Sequence, residues 1–191
     1  MQPHDFWQIL YPAGSFDPAG PFADFFPVEL PDGRELPLPI RVLGDGQQAL
    51  ASLIINQASF DVQDALAGAL APRLAEWRPE VIVGLPTLGL TLASGVARML
   101  GHTRYVPLGT SRKFWYDETL SVPMSSITTP DQQKRLYVDP RMLRLIKGKR
   151  VALVDDVISS GTSILSALTL MQSLDTEPVV IGAAMLQSER R

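Results

Sequence analysis

An apolar, β-prone run, Val151-Ala152-Leu153-Val154, leads straight into two carboxylates, Asp155 and Asp156, and then into Val157-Ile158-Ser159-Ser160-Gly161-Thr162-Ser163. Beyond it, Ile164, Leu165, Leu168 and Met171 recur at helical spacing as far as Leu174. This string predicts a strand, a polar turn and a helix N-terminus in immediate succession. Such a turn can wrap a phosphate with backbone N–H and hydroxyl groups, and the helix dipole favours the anion. The acidic pair stands one step earlier, at the carboxyl end of the strand, where it can take sugar hydroxyls or a magnesium-bound group beside that phosphate. An ordinary strand–loop–helix junction accounts for one Asp or one Ser as turn and cap residues. It does not account for the whole string.

Strands and helices alternate through the second half of the chain, which implies a parallel sheet covered on both faces. Val81-Ile82-Val83 reads as a short strand. Leu88, Leu92, Val96 and Leu100 form the stripe of a helix that stops near Gly101, and Tyr105 to Leu108 reads as the next strand. Val179 to Leu186 reads as the last strand. Upstream, Asp61 reads as an N-cap before Val62, Leu66, Leu70 and Leu74, with Pro72 expected to kink or interrupt that helix. Gln47 to Gln57 has a helical pattern. Residues 109 to about 140 carry Ser, Thr, Pro and charge without a clear helical period, and a loop of that length is often functional. The first 40 residues are rich in Pro, Gly and Phe; Asp32-Gly33 suits a hairpin turn between Val28–Leu30 and Glu35–Leu38. We expect an arm or hood over residues 1–44 and one globular unit over 45–191.

Composition excludes several functions. The 191 residues contain no cysteine and two separated histidines, His4 and His102, so no zinc site is expected. A net charge of −3 and the lack of a basic run argue against nucleic-acid binding. No signal peptide and no apolar run of ~18 residues is evident, so a cytoplasmic, membrane-free location is expected.

Gly84-Leu85-Pro86-Thr87-Leu88-Gly89 also joins a strand to a helix. Its glycines have the spacing of a nucleoside-triphosphate loop, but Leu90 stands where that loop needs its lysine, so an NTPase is rejected. A tight turn whose amides bind a phosphate remains, beside a plain strand–helix turn. Arg112 and Lys113 sit at the next strand end; they either neutralise a polyanion or form a solvated charged turn, and the neighbouring Trp115 and Tyr116 favour the former.

The 151–163 string resembles the PRPP-binding motif of type I phosphoribosyltransferases. The resemblance extends over about residues 45 to 187, with motifs most similar to the adenine and xanthine (purine) enzymes. It implies a Rossmann-like α/β fold, a parallel sheet flanked by helices with a small N-terminal hood. By that resemblance Asp155 and Asp156 hold the ribose and, indirectly, PRPP-bound Mg2+. Ser159, Ser160, Gly161, Thr162 and Ser163 hold the 5-phosphate. Thr87, Leu88, Gly89, Arg112 and Lys113 hold the pyrophosphate, and Lys134 and Arg135 are weaker candidates there. Ser52 to Gln57 is similar to the xanthine-type base segment. Asn56 matches its base-contacting Asn, with capping of a helix end the equal alternative. Val157 and Ile158 would wall the base. Gln187 stands where the xanthine enzymes carry a base-binding Lys, which puts a 6-oxopurine in doubt. The implied reaction is purine salvage with Mg2+ and PRPP in a homodimer. Two alternatives remain: a PRPP- or nucleotide-sensing regulator with this fold, and a transferase acting on a non-purine base.

Overall fold

The computed structural model describes residues 4–124 and 134–187. Its centre is a four-stranded parallel sheet in the order β5-β4-β8-β9, formed by β4 (Val81–Gly84), β5 (Val106–Pro107), β8 (Val151–Ile158) and β9 (Val180–Leu186). A three-stranded antiparallel sheet precedes it, made of β1 (Phe25–Glu29), β2 (Glu35–Val42) and β3 (Ala49–Ala51). The helices are α1 (Phe60–Ala75), α2 (Gly89–Met99), the single turn α3 (Leu143–Ile146) and α4 (Thr162–Ser173). Strands β6 (Ser121–Met124) and β7 (Lys134–Tyr137) pair antiparallel within the expected long loop, whose residues 125–133 lie outside the described residues.

Side-chain alternation in the central strands builds a core on each face. Ile82, Ala152 and Val154 point to a core shared with α1, α2 and the first sheet. Val81, Val83, Val151 and Leu153 point to the other, filled by Ile164, Ala167, Leu170 and Met171 of α4 and by Val122 and Leu136 of the β6–β7 pair. Both faces are thus covered, the condition under which short all-apolar parallel strands are stable.

Three expectations changed. Helix α1 runs unbroken through Pro72. Burial of Val62, Leu66, Leu70 and Leu74 against the core contributes about 1.5–3 kcal/mol each, which outweighs the ~3 kcal/mol cost of an internal proline. Its cap is Ser59, whose Oγ accepts from the Val62 N–H at 3.3 Å, while Asp61 lies in the first turn. Residues 47–57 do not form a helix: Ala49–Ala51 pair with β2, and only Ile55–Gln57 make a 3₁₀ turn. Cross-strand pairing outcompeted a weak local helical preference. The hairpin expected around Asp32-Gly33 is present, with Leu30 and Arg34 closing it and Asp32 Oδ1 accepting from the Arg34 N–H.

Candidate phosphate and ribose site

Two βαβ units diverge from the middle of the parallel sheet. From β4 the chain passes through α2 outward to β5; from β8 it passes through α4 outward to β9. The order therefore reverses between β4 and β8, and in such sheets the crevice outside the carboxyl ends at that reversal is where ligands bind. The segments after β4 and β8 both open into it.

Strand β4 ends at Gly84, opposite Val154, whereas β8 continues for four more residues, paired only with β9. The strand thus runs beyond Val154, past the acidic pair, to Ile158. This places Asp155 and Asp156 inside the sheet, 6% and 8% exposed, beside the gap that β4 vacates. The start of α2 closes over that gap. A Cβ built on Gly89 would lie 2.5 Å from Asp155 Oδ1 and 2.9 Å from its Cα, so only glycine lets the helix approach so closely. The Pro86–Thr87 peptide just before it is cis.

The carboxylates interact with one another, and Asp155 Oδ1 accepts from the Asp156 N–H at 3.0 Å. Burial and the adjacent Asp156 carboxylate push Asp155 up to about 7, and burial also raises Asp156. Both acids are thus held toward their protonated forms, in which a carboxyl group can donate as well as accept. Two adjacent hydroxyls can meet both capacities.

Beyond β8, residues Ser159 to Ser163 curl around a cavity of about 120 Å³ that Asp155, Val157, Ile158 and Ile164 also line. Gly161 sits at φ 78°, the left-handed conformation that turns the chain into α4. Ser160 Oγ lies 3.0 Å from Thr162 Oγ1. Neither Leu88 at the start of α2 nor Gly161 at the start of α4 supplies a side-chain cap. Ser160 Oγ accepts from the Thr162 N–H at 3.4 Å at the start of α4, and both helix starts lie at the crevice.

The other expected residues lie further out. Thr87 is exposed and Leu88 half-buried in the β4–α2 turn. Arg112 and Lys113 follow β5 at the same end of the sheet. Arg112 Nε pairs with Glu118 Oε2 at 3.0 Å, and among the described residues Lys113 makes no ion pair. Lys134 begins β7, and Arg135 is tied to Ser121, donating to its Oγ at 3.0 Å and its carbonyl at 3.1 Å. Asn56 is exposed on the 3₁₀ turn, whose cap is Ala58, so Asn56 does not cap it. Gln187 donates from Nε2 to the Ala51 carbonyl at 2.7 Å, and its N–H bonds the Ile158 carbonyl at 2.8 Å. It fastens the end of β9 to β3 and β8. Asp139 was missed in the sequence, although an Asp before Pro140 is a cap signal; its carboxylate caps a 3₁₀ turn and grips Trp115.

No three acidic or histidine side chains gather as a metal cage among the described residues. No described helix is long and apolar enough to cross a membrane.

The family model described as phosphoribosyl transferase domain matches residues 52–191. The transcriptional regulator GfcR of Archaeoglobus fulgidus is 30% identical over 159 residues, 82% of this chain and 63% of that protein. The probable purine biosynthesis transcriptional regulator PurR of Streptococcus pneumoniae is 25% identical over 152 residues, 78% of this chain and 53% of that protein. The chain thus spans between half and two thirds of the length of these curated relatives. Adenine phosphoribosyltransferase from Saccharomyces cerevisiae, solved with a bisphosphate imino-altritol and adenine, shares the fold. Its TM-score is 0.59 at 18% identity, covering 78% of this chain and 84% of that one.

Proposed function

The chain belongs to the family of phosphoribosyl transferase domains, and from that premise we propose that it moves the 5-phosphoribosyl group of PRPP onto a purine base. The products are a nucleoside 5′-monophosphate and diphosphate. The observation that carries this reading is the crevice at the sheet reversal. It holds a buried acid pair between the N-termini of α2 and α4, which open at Gly89 and Gly161.

In this reading Asp155 and Asp156 take the ribose 2- and 3-hydroxyls. The backbone and hydroxyls of Ser159, Ser160, Gly161, Thr162 and Ser163 hold the 5-phosphate in the 120 Å³ cavity. Thr87, Leu88 and Gly89 offer amides to the diphosphate, and Arg112 and Lys113 offer charge. Val157 and Ile158 wall the base, and Asn56 reads its edge. A purine ring nitrogen attacks C1 of the ribose. The C1–O bond breaks, its electron pair leaves with diphosphate, and the nitrogen's proton passes to solvent. Positioning and stabilisation of the leaving charge supply the rate.

Two carboxylates with no third acidic or histidine neighbour among the described residues suit a hydrated Mg2+, which Asp155 and Asp156 would hold indirectly alongside PRPP. When bound, it neutralises charge on the leaving group.

A second reading is supported by the two relatives named as transcriptional regulators: the same crevice binds PRPP as a signal, without turnover. Diphosphate release from PRPP and Mg2+ separates the two, tested against adenine, guanine, hypoxanthine, xanthine, uracil and orotate. Release with one purine supports the transferase and names its base. Binding without release supports the sensor. Release with uracil or orotate alone replaces the purine with another acceptor. We also propose a homodimer, which light scattering on the purified protein tests.

A further inference from the structure

Asp139 is 7% exposed and lies just after β7. One of its carboxylate oxygens accepts from the Arg141 N–H at 2.9 Å, and both accept from that residue's guanidinium. The same carboxylate accepts from Trp115 Nε1 at 3.2 Å, across 24 positions of sequence. Arg141 in turn lies over the Trp115 ring, its Cζ 4.7 Å from the centroid. Trp115 is thus held by its edge and by its face. Nearby, the Tyr116 ring rests on Tyr137 at 5.9 Å, and Gly109 and Tyr137 exchange two backbone hydrogen bonds.

The segment 109–116 is therefore pinned at both ends to residues 137–141, with Arg112, which pairs with Glu118, and Lys113 between the two ends. Little of this serves the core. Trp115 is 41% exposed and the Arg141 side chain 67% exposed, so the apolar area removed from water is small. What the contacts do is fix a surface loop that carries two cations. An ordered loop spares the ligand the entropy of ordering it.

We propose that Asp139, with Trp115 and Arg141, forms a clasp that positions Arg112 and Lys113 for a diphosphate group, making Asp139 a positioning residue that touches no substrate. The inference rests on the phosphoribosyl-transfer reading of the crevice and names the group served by that loop.

The test titrates magnesium diphosphate and, separately, ribose 5-phosphate into the wild type, Trp115→Phe and Asp139→Asn by calorimetry. Amide exchange over residues 109–118 is followed in parallel. Trp115→Phe keeps an aromatic ring beneath Arg141 while removing the N–H and part of the ring face, so it remains informative should Asp139→Asn fail to fold. Both variants are expected to weaken diphosphate about fivefold, the size of one net hydrogen bond. They should leave ribose 5-phosphate within about twofold and speed exchange at 110–117. Unchanged diphosphate affinity, unchanged exchange, or equal weakening of both ligands overturns the clasp while leaving the crevice reading intact. Failure of the wild type to bind either ligand overturns the crevice reading and the clasp with it.

Discussion

Helix α1 and the pair α2 and α4 begin in opposite ways. At α1, Ser59 caps the first turn and Asp61 adds a negative charge to it. At α2 and α4 the residue in the cap position, Leu88 or Gly161, supplies no side-chain cap, the chain narrows to Gly89 and Gly161, and at α4 Ser160 Oγ reaches the Thr162 N–H at a long 3.4 Å. A helix start that serves only the fold satisfies its own N–H groups, because each one left bare costs stability. Two such starts at one crevice, with a buried acid pair between them, support the proposed anion site. The same contrast holds for charge. Asp139 is ionised by its arginine and held well below the usual carboxylate range, whereas Asp155 is pushed up by burial and by its neighbour. One acid has found its partner within the fold, and the other pair has not.

The largest expected effect sharpens this contrast through pH. Folding raises Asp155 from 3.8 to about 7, so between those values the folded state binds more protons than the unfolded. Stability should therefore fall as pH rises from about 4 to 7 and level off above. Asp155→Asn should remove most of that slope and gain about 2–4 kcal/mol at pH 8. Thermal unfolding at pH 5 and pH 8 checks this; an unchanged slope would mean that Asp155 finds a compensating partner. Gly89→Ala comes next. Its methyl must displace Asp155, so we expect a loss of about 1–3 kcal/mol together with weakened PRPP binding. Ser59→Ala should cost about 1 kcal/mol, a Tm drop of about 2–4 °C, with ligand binding untouched. A ligand effect from Ser59 would break the division between the two kinds of helix start. Asn56→Ala should leave Tm unchanged and weaken the base several-fold while PRPP binds as before; equal loss of both would assign Asn56 a structural role.

Much of the crevice was legible because its elements are local. The apolar strand, the carboxylates, the small-residue turn and the helical stripe of α4 follow one another in the chain, as do Val81–Gly84 and α2. What escaped depended on distant partners. The strand was expected to stop at the acidic pair, but β9 extends its pairing to Ile158. The resulting burial of the two acids cannot be seen in their spacing. Pro72 reads as a breaker because propensity is local, while the core that overrides it is assembled from α2 and the sheet. Arg112 and Lys113 were visible as a pair, yet the grip on Trp115 comes from Asp139, two dozen residues later. The strand pairing of Ala49–Ala51 and the tie between Gln187 and Ala51 likewise join segments far apart in the chain.

The most direct measurement is calorimetric titration of PRPP with magnesium into the wild type and into the Asp155→Asn, Asp156→Asn double variant. The carboxyl-edge assignment predicts saturable binding to the wild type and its loss in a variant that unfolds at the same or higher temperature. Equal binding by both proteins would contradict it.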